Sequence, residues 1–360
     1  MAVGRVLVLG GAGDMGSGVV EELVSLGVEA DIGDINKERA QNVAQSLKPA
    51  ADVGVVKVDV LSREELTAAV KKYDVVVNAV GPFYRFGYVV ADALVKAGVN
   101  GVDICDDYDA TEKILGLCQE ALDKGVTFVT GLGWTPGLSN ILAKKCCEML
   151  GGEVDAVDIG WFGSAADSKG LAVVMHLFHT ITGDVPIYLN GRTEMVKAGT
   201  SPMFFEFPKV GRLKLYYVGH PEPITIPRHL RVLERVAVRG CLVPQWQNSL
   251  GKMFVKMGLT SSKERLERLS RFIHRIEDVF RAGGLELSGV KVVVEKGVER
   301  VSYCSVGRMR KLTAAPAALG AYLILKGELD EKGVYPPEAV ISPTPFLGRL
   351  EGVGVTAAKQ

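Results

Sequence analysis

The sequence predicts an α/β chain: an N-terminal doubly wound parallel sheet of the Rossmann type, followed by a second α+β domain. Three observations lead there. Short apolar runs alternate with stretches of helical period from residue 3 to about 130; the first run ends in a glycine-rich turn; and the strict alternation stops after Gly131. A parallel sheet needs this alternation, because each crossover carries a helix that covers one face. A length of 360 residues with 48% apolar and 23% charged residues suffices for two buried cores and excludes disorder for most of the chain.

Taken in order, the expected strands are Val3 to Leu9, Glu29 to Gly33, Gly54 to Val58, Asp74 to Ala79, Val99 to Cys105 and Val126 to Thr130. Helices fit between them at Met15 to Leu26, Lys37 to Leu47, Ser62 to Lys71, Gly87 to Ala97 and Ala110 to Asp123. After a helix from Leu138 to Leu150, strands are expected at Val154 to Phe162, Leu213 to Val218, Leu230 to Val238, Val290 to Glu295 and Glu299 to Val306. Helices at Gln247 to Met257 and Ser262 to Phe280 would cover a mostly antiparallel or mixed sheet. A late apolar helix, Thr313 to Leu325, is rich enough in Ala and Leu to pack as a core element. The expected partition is 1–135 for the dinucleotide domain, 136–307 for the second domain, and 308–360 for a C-terminal helix and tail.

Charge is balanced, 42 basic against 42 acidic residues, so nothing advertises a nucleic-acid partner. The first 150 residues are acidic and the remainder basic, which makes the second part the candidate home for anionic substrate groups. No run of about 18 apolar residues argues for a membrane span, and Met1 leads into an apolar strand without a signal leader. A cytoplasmic protein is expected. The six cysteines form no CxxC pair, and Cys146 and Cys147 are vicinal, which disfavours zinc and disulfides alike. His176 and His179 would share a helix face but lack a third ligand nearby, so no metal is expected.

The first strand ends in Gly10-Gly11-Ala12-Gly13-Asp14-Met15-Gly16, a GxGxxG placed between strand and helix. Gly11 is expected to make the tight turn, Gly13 to remove the Cβ that would strike a pyrophosphate, and Gly16 to let the helix pack on the strand. The free N–H groups beginning at Asp14 and Met15 then face the diphosphate. The same stretch reads as GxxGxxG, and Tyr322 with Lys326 forms a YxxxK, but that pair lies far past the six-strand unit, where packing and a surface lysine explain it. Asp34, eighteen residues past Gly16 and followed by Asn36, is placed to accept hydrogen bonds from the adenosine ribose. A 2′-phosphate about 4 Å from its carboxylate would cost on the order of 4 kcal/mol at an effective dielectric near 20. NAD is therefore the expected cofactor, with NADP open because Lys37 and Arg39 are near. Asp59 and Val60 are expected on the adenine side.

Ligands of doubly wound sheets lie outside the carboxyl ends of the strands, so the later loops should line the nicotinamide end. Ala79, Val80, Gly81 and Pro82 permit close backbone approach; Tyr84, Asp106 and Asp107 supply titratable groups; Trp134 lies in the last of these loops; and Asp109 reads as a helix N-cap.

GGAGDMG, NAVGPFYRFGYVVADALVKAGVNGVDI, GWTPGLSNILA and YYVGHPEPITIPRHL together resemble the saccharopine dehydrogenase (saccharopine reductase) family, of which archaeal NAD-dependent lysine dehydrogenases are a related branch. The resemblance covers essentially the whole chain. It implies a Rossmann domain, a second α+β domain (136–307) for substrate binding and dimerisation, and a C-terminal helix and tail (308–360) returning to the first domain. The enzyme it implies is a homodimer that exchanges hydride with the carbon of a C–N bond on a basic amino acid or its imine adduct. Asp34 sides with the lysine dehydrogenases, since NADP-using saccharopine reductases tend to carry basic residues after the second strand. Oxidising an amine needs a proton acceptor, for which Tyr84, Asp106, Asp107 and His220 are the candidates. Glu222 would hold a substrate ammonium and Arg228 a substrate carboxylate. The prolines Pro221, Pro223 and Pro227 equally allow an edge strand whose charges face water. The competing functions are a carboxynorspermidine-type reductive condensation and a non-catalytic dinucleotide sensor.

Overall fold

The structure, a computed structural model, describes residues 4–48, 51–282 and 284–360. Val3, where the first strand was expected to begin, lies outside the described residues. The chain divides into two compact units, Met1–Leu138 with Arg310–Ile341, and Ser139–Met309 with Ser342–Gln360. Residues 308–360 are thus shared out, their first part going to one unit and their last to the other.

In the first unit β1 (Arg5–Leu9), β2 (Glu29–Asp34), β3 (Val55–Lys57), β4 (Val75–Asn78), β5 (Asn100–Asp103) and β6 (Thr127–Val129) form one parallel sheet. The order is β6-β5-β4-β1-β2-β3, so the winding reverses between β1 and β4. Val6, Leu7, Val8 and Leu9 of the central strand are all fully buried, as a strand covered on both faces must be. The covering helices are α1 (Asp14–Ser25), α2 (Lys37–Leu47), α3 (Arg63–Val70), α4 (Phe83–Ala97), α5 (Tyr108–Leu115) and α6 (Cys118–Asp123). Asn36 and Ser62 cap α2 and α3 by accepting from the N–H groups of Arg39 and Glu65. The single helix expected over Ala110 to Asp123 is interrupted at Gly116 and Leu117, where glycine makes continuation costly. The N-cap of α5 is Asp107, not Asp109, which falls inside the first turn.

A seventh parallel strand, Gly333–Tyr335, pairs with β6 and extends the expected six. Three residues are too few to carry a periodicity, and its pairing supplies what its length does not. The helix Met309–Leu325 buries a face of Ala314, Ala315, Ala317, Ala318 and Ala321. It approaches α1 so closely that a Cβ on Gly18 would lie 3.0 Å from that of Ala314. Arg310 forks onto Glu21 at 2.6 Å through both terminal nitrogens, and Lys311 reaches Glu22 at 2.6 Å. Lys326 is exposed, its ammonium 5.5 Å from the ring of Tyr322, so the YxxxK pair is a surface contact at a helix end.

The second unit contains α7 (Leu138–Met149), β7 (Glu153–Ser164), α8 (Leu171–Thr180), β8 (Asp184–Leu189), β9 (Arg192–Lys197), β10 (Met203–Phe207), β11 (Gly211–Tyr217), α9 (Glu222–His229), β12 (Arg231–Val243), α10 (Trp246–Lys256), α11 (Lys263–Arg275), α12 (Glu277–Arg281), β13 (Ser288–Lys296) and β14 (Glu299–Gly307). Its sheet is mixed: β12 and β7 run parallel, the other pairs antiparallel, in the order β10-β11-β12-β7-β13-β14. The β8–β9 hairpin turns through Asn190 and Gly191 at φ 48° and 86°, which matches a tight turn to the twist of its strands. The segment around Pro221, Pro223 and Pro227 is the helix α9 rather than an edge strand. Two of its prolines occupy the N-cap and first turn, where no intrahelical N–H is needed, and the third falls near its end. The helix expected over Ser262 to Phe280 breaks at Ile276. No helix among the described residues is long and apolar enough to cross a membrane.

Inside this sheet Asp158 of β7 accepts from Arg239 Nη1 at 2.7 Å and Arg235 Nη2 at 2.6 Å, while Arg239 also donates to the Tyr217 hydroxyl at 2.8 Å. Asp158 and Arg239 are both buried, so each depends on the other for its charge. Arg239→Leu should destabilise the chain by about 3 kcal/mol, because Asp158 keeps only Arg235 and the Tyr217 hydroxyl loses its donor. Urea unfolding checks this; a loss below about 1 kcal/mol would contradict it.

Candidate active site

The glycine turn is organised by close backbone contact. Gly10, rather than Gly11, takes the left-handed conformation (φ 73°), and its N–H donates to the Gly33 carbonyl at 2.8 Å. Gly11 instead lies against β1 and β2: a Cβ there would stand 2.8 Å from the Val8 carbonyl and 3.0 Å from Ile32. A Cβ on Gly16 would fall 2.2 Å from the Gly10 oxygen, so α1 can start this close only with glycine. Gly13, the N-cap of α1, is different. Its Cβ would meet only the Gly10 oxygen, at 3.1 Å, which leaves open space above the turn. Asp14 and Met15 begin the helix and are half-buried.

Asp34 ends β2 beside this turn. Its carboxylate accepts from Ala12 N–H at 3.1 Å and Asn36 N–H at 2.9 Å, so the main chain aims it. Asp59 caps its own loop by accepting from Leu61 N–H, and its N–H donates to Glu65; Val60 follows, half-buried, at the same end of the sheet. After β4, Ala79 N–H donates to the Leu9 carbonyl, which brings Ala79 and Val80 against Gly10. Asn78 accepts from Val80 N–H at 3.0 Å, while its buried Nδ2 has no hydrogen-bond partner among the described residues. Gly81 and Pro82 complete the loop, and the Pro82 carbonyl accepts from Arg85 and Phe86 to open α4.

The loops after β5 and β6 are tied together by an acid that the residue pattern did not single out. Asp103, fully buried, accepts from Gly131 N–H at 2.7 Å, Cys105 N–H at 3.0 Å and the Thr130 hydroxyl at 3.0 Å. Asp107, also fully buried, accepts from Tyr84 N–H at 2.7 Å and so joins the start of α4 to that of α5. Tyr84 and Asp106 are half-buried nearby, and Trp134 is buried in the turn closed by Gly133 N–H to Pro136 carbonyl at 3.0 Å. All six cysteines are free; burial raises the Cys105 thiol well above its usual range, which leaves it a protonated core group.

In the second unit the structure brings His220 and Glu222 together, with Nδ1 3.6 Å from Oε2, both almost completely buried. The Ser139 hydroxyl donates to Glu222 Oε1 at 2.8 Å, and Asn140 Nδ2 to the Thr225 hydroxyl at 3.4 Å. The PGLSN and GHPEP segments therefore meet in one cluster, a role for Ser139 and Asn140 that sequence reasoning missed by treating them only as a signature. The His220 ring packs 5.6 Å from Trp161 and 5.6 Å from His176, centroid to centroid, and neither of its nitrogens has a hydrogen-bond partner among the described residues. Arg228 is exposed on the last turn of α9, whose first residue is Glu222.

The family model described as the saccharopine dehydrogenase NADP binding domain matches residues 6–129, and that of the saccharopine dehydrogenase C-terminal domain matches residues 133–355. The chain belongs to the saccharopine dehydrogenase family. Among its relatives, carboxynorspermidine synthase of Vibrio alginolyticus is 25% identical over 174 residues, 44% of this chain and 42% of that protein. A saccharopine dehydrogenase-like oxidoreductase of Rattus norvegicus is 27% identical over 170 residues, 43% of this chain and 40% of that protein. The chain spans about two fifths of the length of these curated relatives. Apo saccharopine dehydrogenase (L-Glu forming) from Saccharomyces cerevisiae is similar in fold, with a TM-score of 0.70 at 14% identity over 99% of this chain and 100% of that one.

A nicotinamide dinucleotide, the cofactor class of this saccharopine dehydrogenase family, fits the residues present. The open side of Gly13, the N–H groups at the start of α1, the aimed carboxylate of Asp34 and the partnerless Nδ2 of Asn78 all lie at the carboxyl end of the first sheet.

Asp103 yields a pH prediction. Burial raises its carboxyl to about 6, against the opposing hydrogen bonds from Gly131, Cys105 and Thr130 and with a further push from the Asp106 charge. The folded chain thus holds this proton more tightly than the unfolded one, where aspartate titrates near 4. Its contribution to stability is complete below about pH 4 and is lost as pH rises through 6, about 3 kcal/mol in all. Urea unfolding at pH 4 and pH 7 should show the native chain losing that much more stability than Asp103→Asn. Equal losses would contradict the assignment.

Proposed function

We propose that this chain is a nicotinamide-dependent dehydrogenase that exchanges hydride with the carbon of a C–N bond in lysine or a lysine-derived amine, using NAD in preference to NADP. The observation that carries the reading is the buried His220–Glu222 pair: an imidazole with no hydrogen-bond partner on either nitrogen among the described residues, beside a carboxylate fixed by Ser139. Substrate must lose a proton from nitrogen before its carbon can give up hydride, and an imidazole is suited to take it near neutral pH. Glu222 holds the ammonium, His220 receives the proton, and Arg228 clamps a carboxylate of the substrate. Tyr84 and Asp106 supply further proton-transfer groups, Asp107 holds the start of α4 in place, and Trp134 forms an apolar wall. The nicotinamide, when bound, supplies the hydride acceptor. In this reading residues 1–135 hold the dinucleotide, residues 136–307 hold the substrate and pair two copies of the chain, and 308–360 complete the fold.

NAD preference rests on Asp34. Two main-chain N–H groups hold its carboxylate in place, so it does not swing away from a 2′-phosphate at low cost. A second reading, reductive condensation of an aldehyde with an amine of a polyamine, is favoured by the match to carboxynorspermidine synthase.

Mixing the protein with NAD and a panel of lysine and lysine-derived amines should raise absorbance at 340 nm. Reaction with NADH, an aldehyde and a polyamine alone would favour the second reading, and silence in both directions would leave a dinucleotide sensor. His220→Gln should lower kcat/KM by about 10²- to 10⁴-fold while the dissociation constant for NAD stays within twofold. Asp34→Ser should raise affinity for NADP relative to NAD at least tenfold in calorimetry; an unchanged ratio would defeat the Asp34 argument.

A further inference from the structure

The second unit contains an apolar cavity of about 140 Å³ to which neither the dinucleotide residues nor the His220–Glu222 cluster is assigned. Its walls include Trp161 of β7, Val174, Leu177 and Phe178 of α8, Tyr216 of β11 and Phe254 of α10. An apolar cavity of this size takes one aromatic ring or a short branched chain.

Most polar groups on its lining are engaged locally. Glu277 faces His274 Nδ1 at 2.8 Å and accepts from Gly170 N–H; Arg281 donates to the carbonyls of Ser168 and Ala166; Gln247 donates to the Phe280 carbonyl at 2.9 Å. Asn248 exchanges hydrogen bonds with the main chain of Leu242, and Lys169 is exposed to water. Lys252 differs from all of these. Its stem lies along Gly199, where a Cβ would come within 3.3 Å of its Cε, and its ammonium stands 2.9 Å from the centre of the Tyr216 ring. Among the described residues no carboxylate pairs with it. Burial, with the neighbouring Lys214 ammonium, pulls it down to about 8, as happens to a cation short of a counter-ion.

We propose that this cavity binds a small apolar carboxylate, an aromatic ring or short branched chain seated among the α8 and α10 side chains with its carboxylate on Lys252. The ring fills the apolar space and the anion pairs with the Lys252 ammonium, so both halves of the ligand are specified by what surrounds them. The cavity shares Trp161 with the His220 cluster but none of the groups assigned to proton transfer, and binding rather than turnover tests it.

Calorimetry of the full chain with 3-phenylpropanoate is the direct measurement, with toluene as the neutral probe. The native chain should bind 3-phenylpropanoate; Lys252→Met, which keeps the stem, should weaken it at least tenfold and leave toluene unaffected; and Leu177→Trp, which fills the space, should abolish both. Should Leu177→Trp fail to fold, competition in the native chain decides the same point. Mutual exclusion of the two probes supports one cavity, and simultaneous binding overturns it. Failure of 3-phenylpropanoate to bind at millimolar concentration overturns the site, and equal affinity in Lys252→Met overturns the role of the lysine.

Discussion

At Gly10, Gly11 and Gly16, from the end of β1 to the first turn of α1, there is no room for a side chain, and the first unit is arranged around that exclusion. A Cβ at Gly16 would lie 2.2 Å from the Gly10 oxygen, and one at Gly10 would lie 2.8 Å from the Ala79 carbonyl. The helix start, the turn and the β4 loop can therefore close on one another only as bare backbone. Free N–H groups and the positive end of α1 are left facing the open side of Gly13. The reversal of strand order between β1 and β4 puts a crevice at that same place.

Carboxylates do much of the fastening around this backbone. Asp31 of β2 accepts from Arg5, from the Tyr73 hydroxyl and from Gly54 N–H; burial first, and then the Asp31 hydrogen bond and charge, raise that hydroxyl well above its ordinary range. Asp34 ties β2 to the glycine turn, Asp103 joins the β5 and β6 loops, and Asp107 joins α4 to α5. Several of the acids that make the first 150 residues acidic are thus spent on main-chain N–H groups, where an anion finds donors without needing a cation. The second unit uses the same device differently: Asp158 is held by two arginines and Glu222 by a serine.

Much of the fold was legible because periodicity and punctuation agreed. The β1 run, the GxGxxG and the α1 pattern are contiguous, and each alone implies the others' position. The departures follow from signals that are not local. The strand Gly333–Tyr335 is defined by its partner β6, and α9 is a helix because its prolines fall where helices tolerate them, a matter of position within an element whose ends were not evident. The β8–β9 hairpin carried its Asn190-Gly191 turn in plain view, but β9 is largely exposed and so has no apolar alternation to mark it. In the candidate site, Asp34 was readable by its distance from the glycines. Ser139 lies 83 residues from the carboxylate it touches, and no spacing rule connects them.

What the sequence determined by itself was the class of the chain: glycines at the end of an apolar run, an acid one strand later and alternating helices leave few foldings that bury the apolar residues and satisfy the turn. What only the tertiary structure decided was which polar groups meet. It made Asp107, one of several loop acids, an anchor of α4, set His220 beside Glu222, and left Lys252 with a ring beneath it and, among the described residues, no carboxylate beside it. The physical reason is that burial acts on each residue locally and can be read from pattern. A hydrogen bond or an ion pair needs two groups within about 3 Å of each other, and for residues far apart in sequence only the packed chain sets that distance.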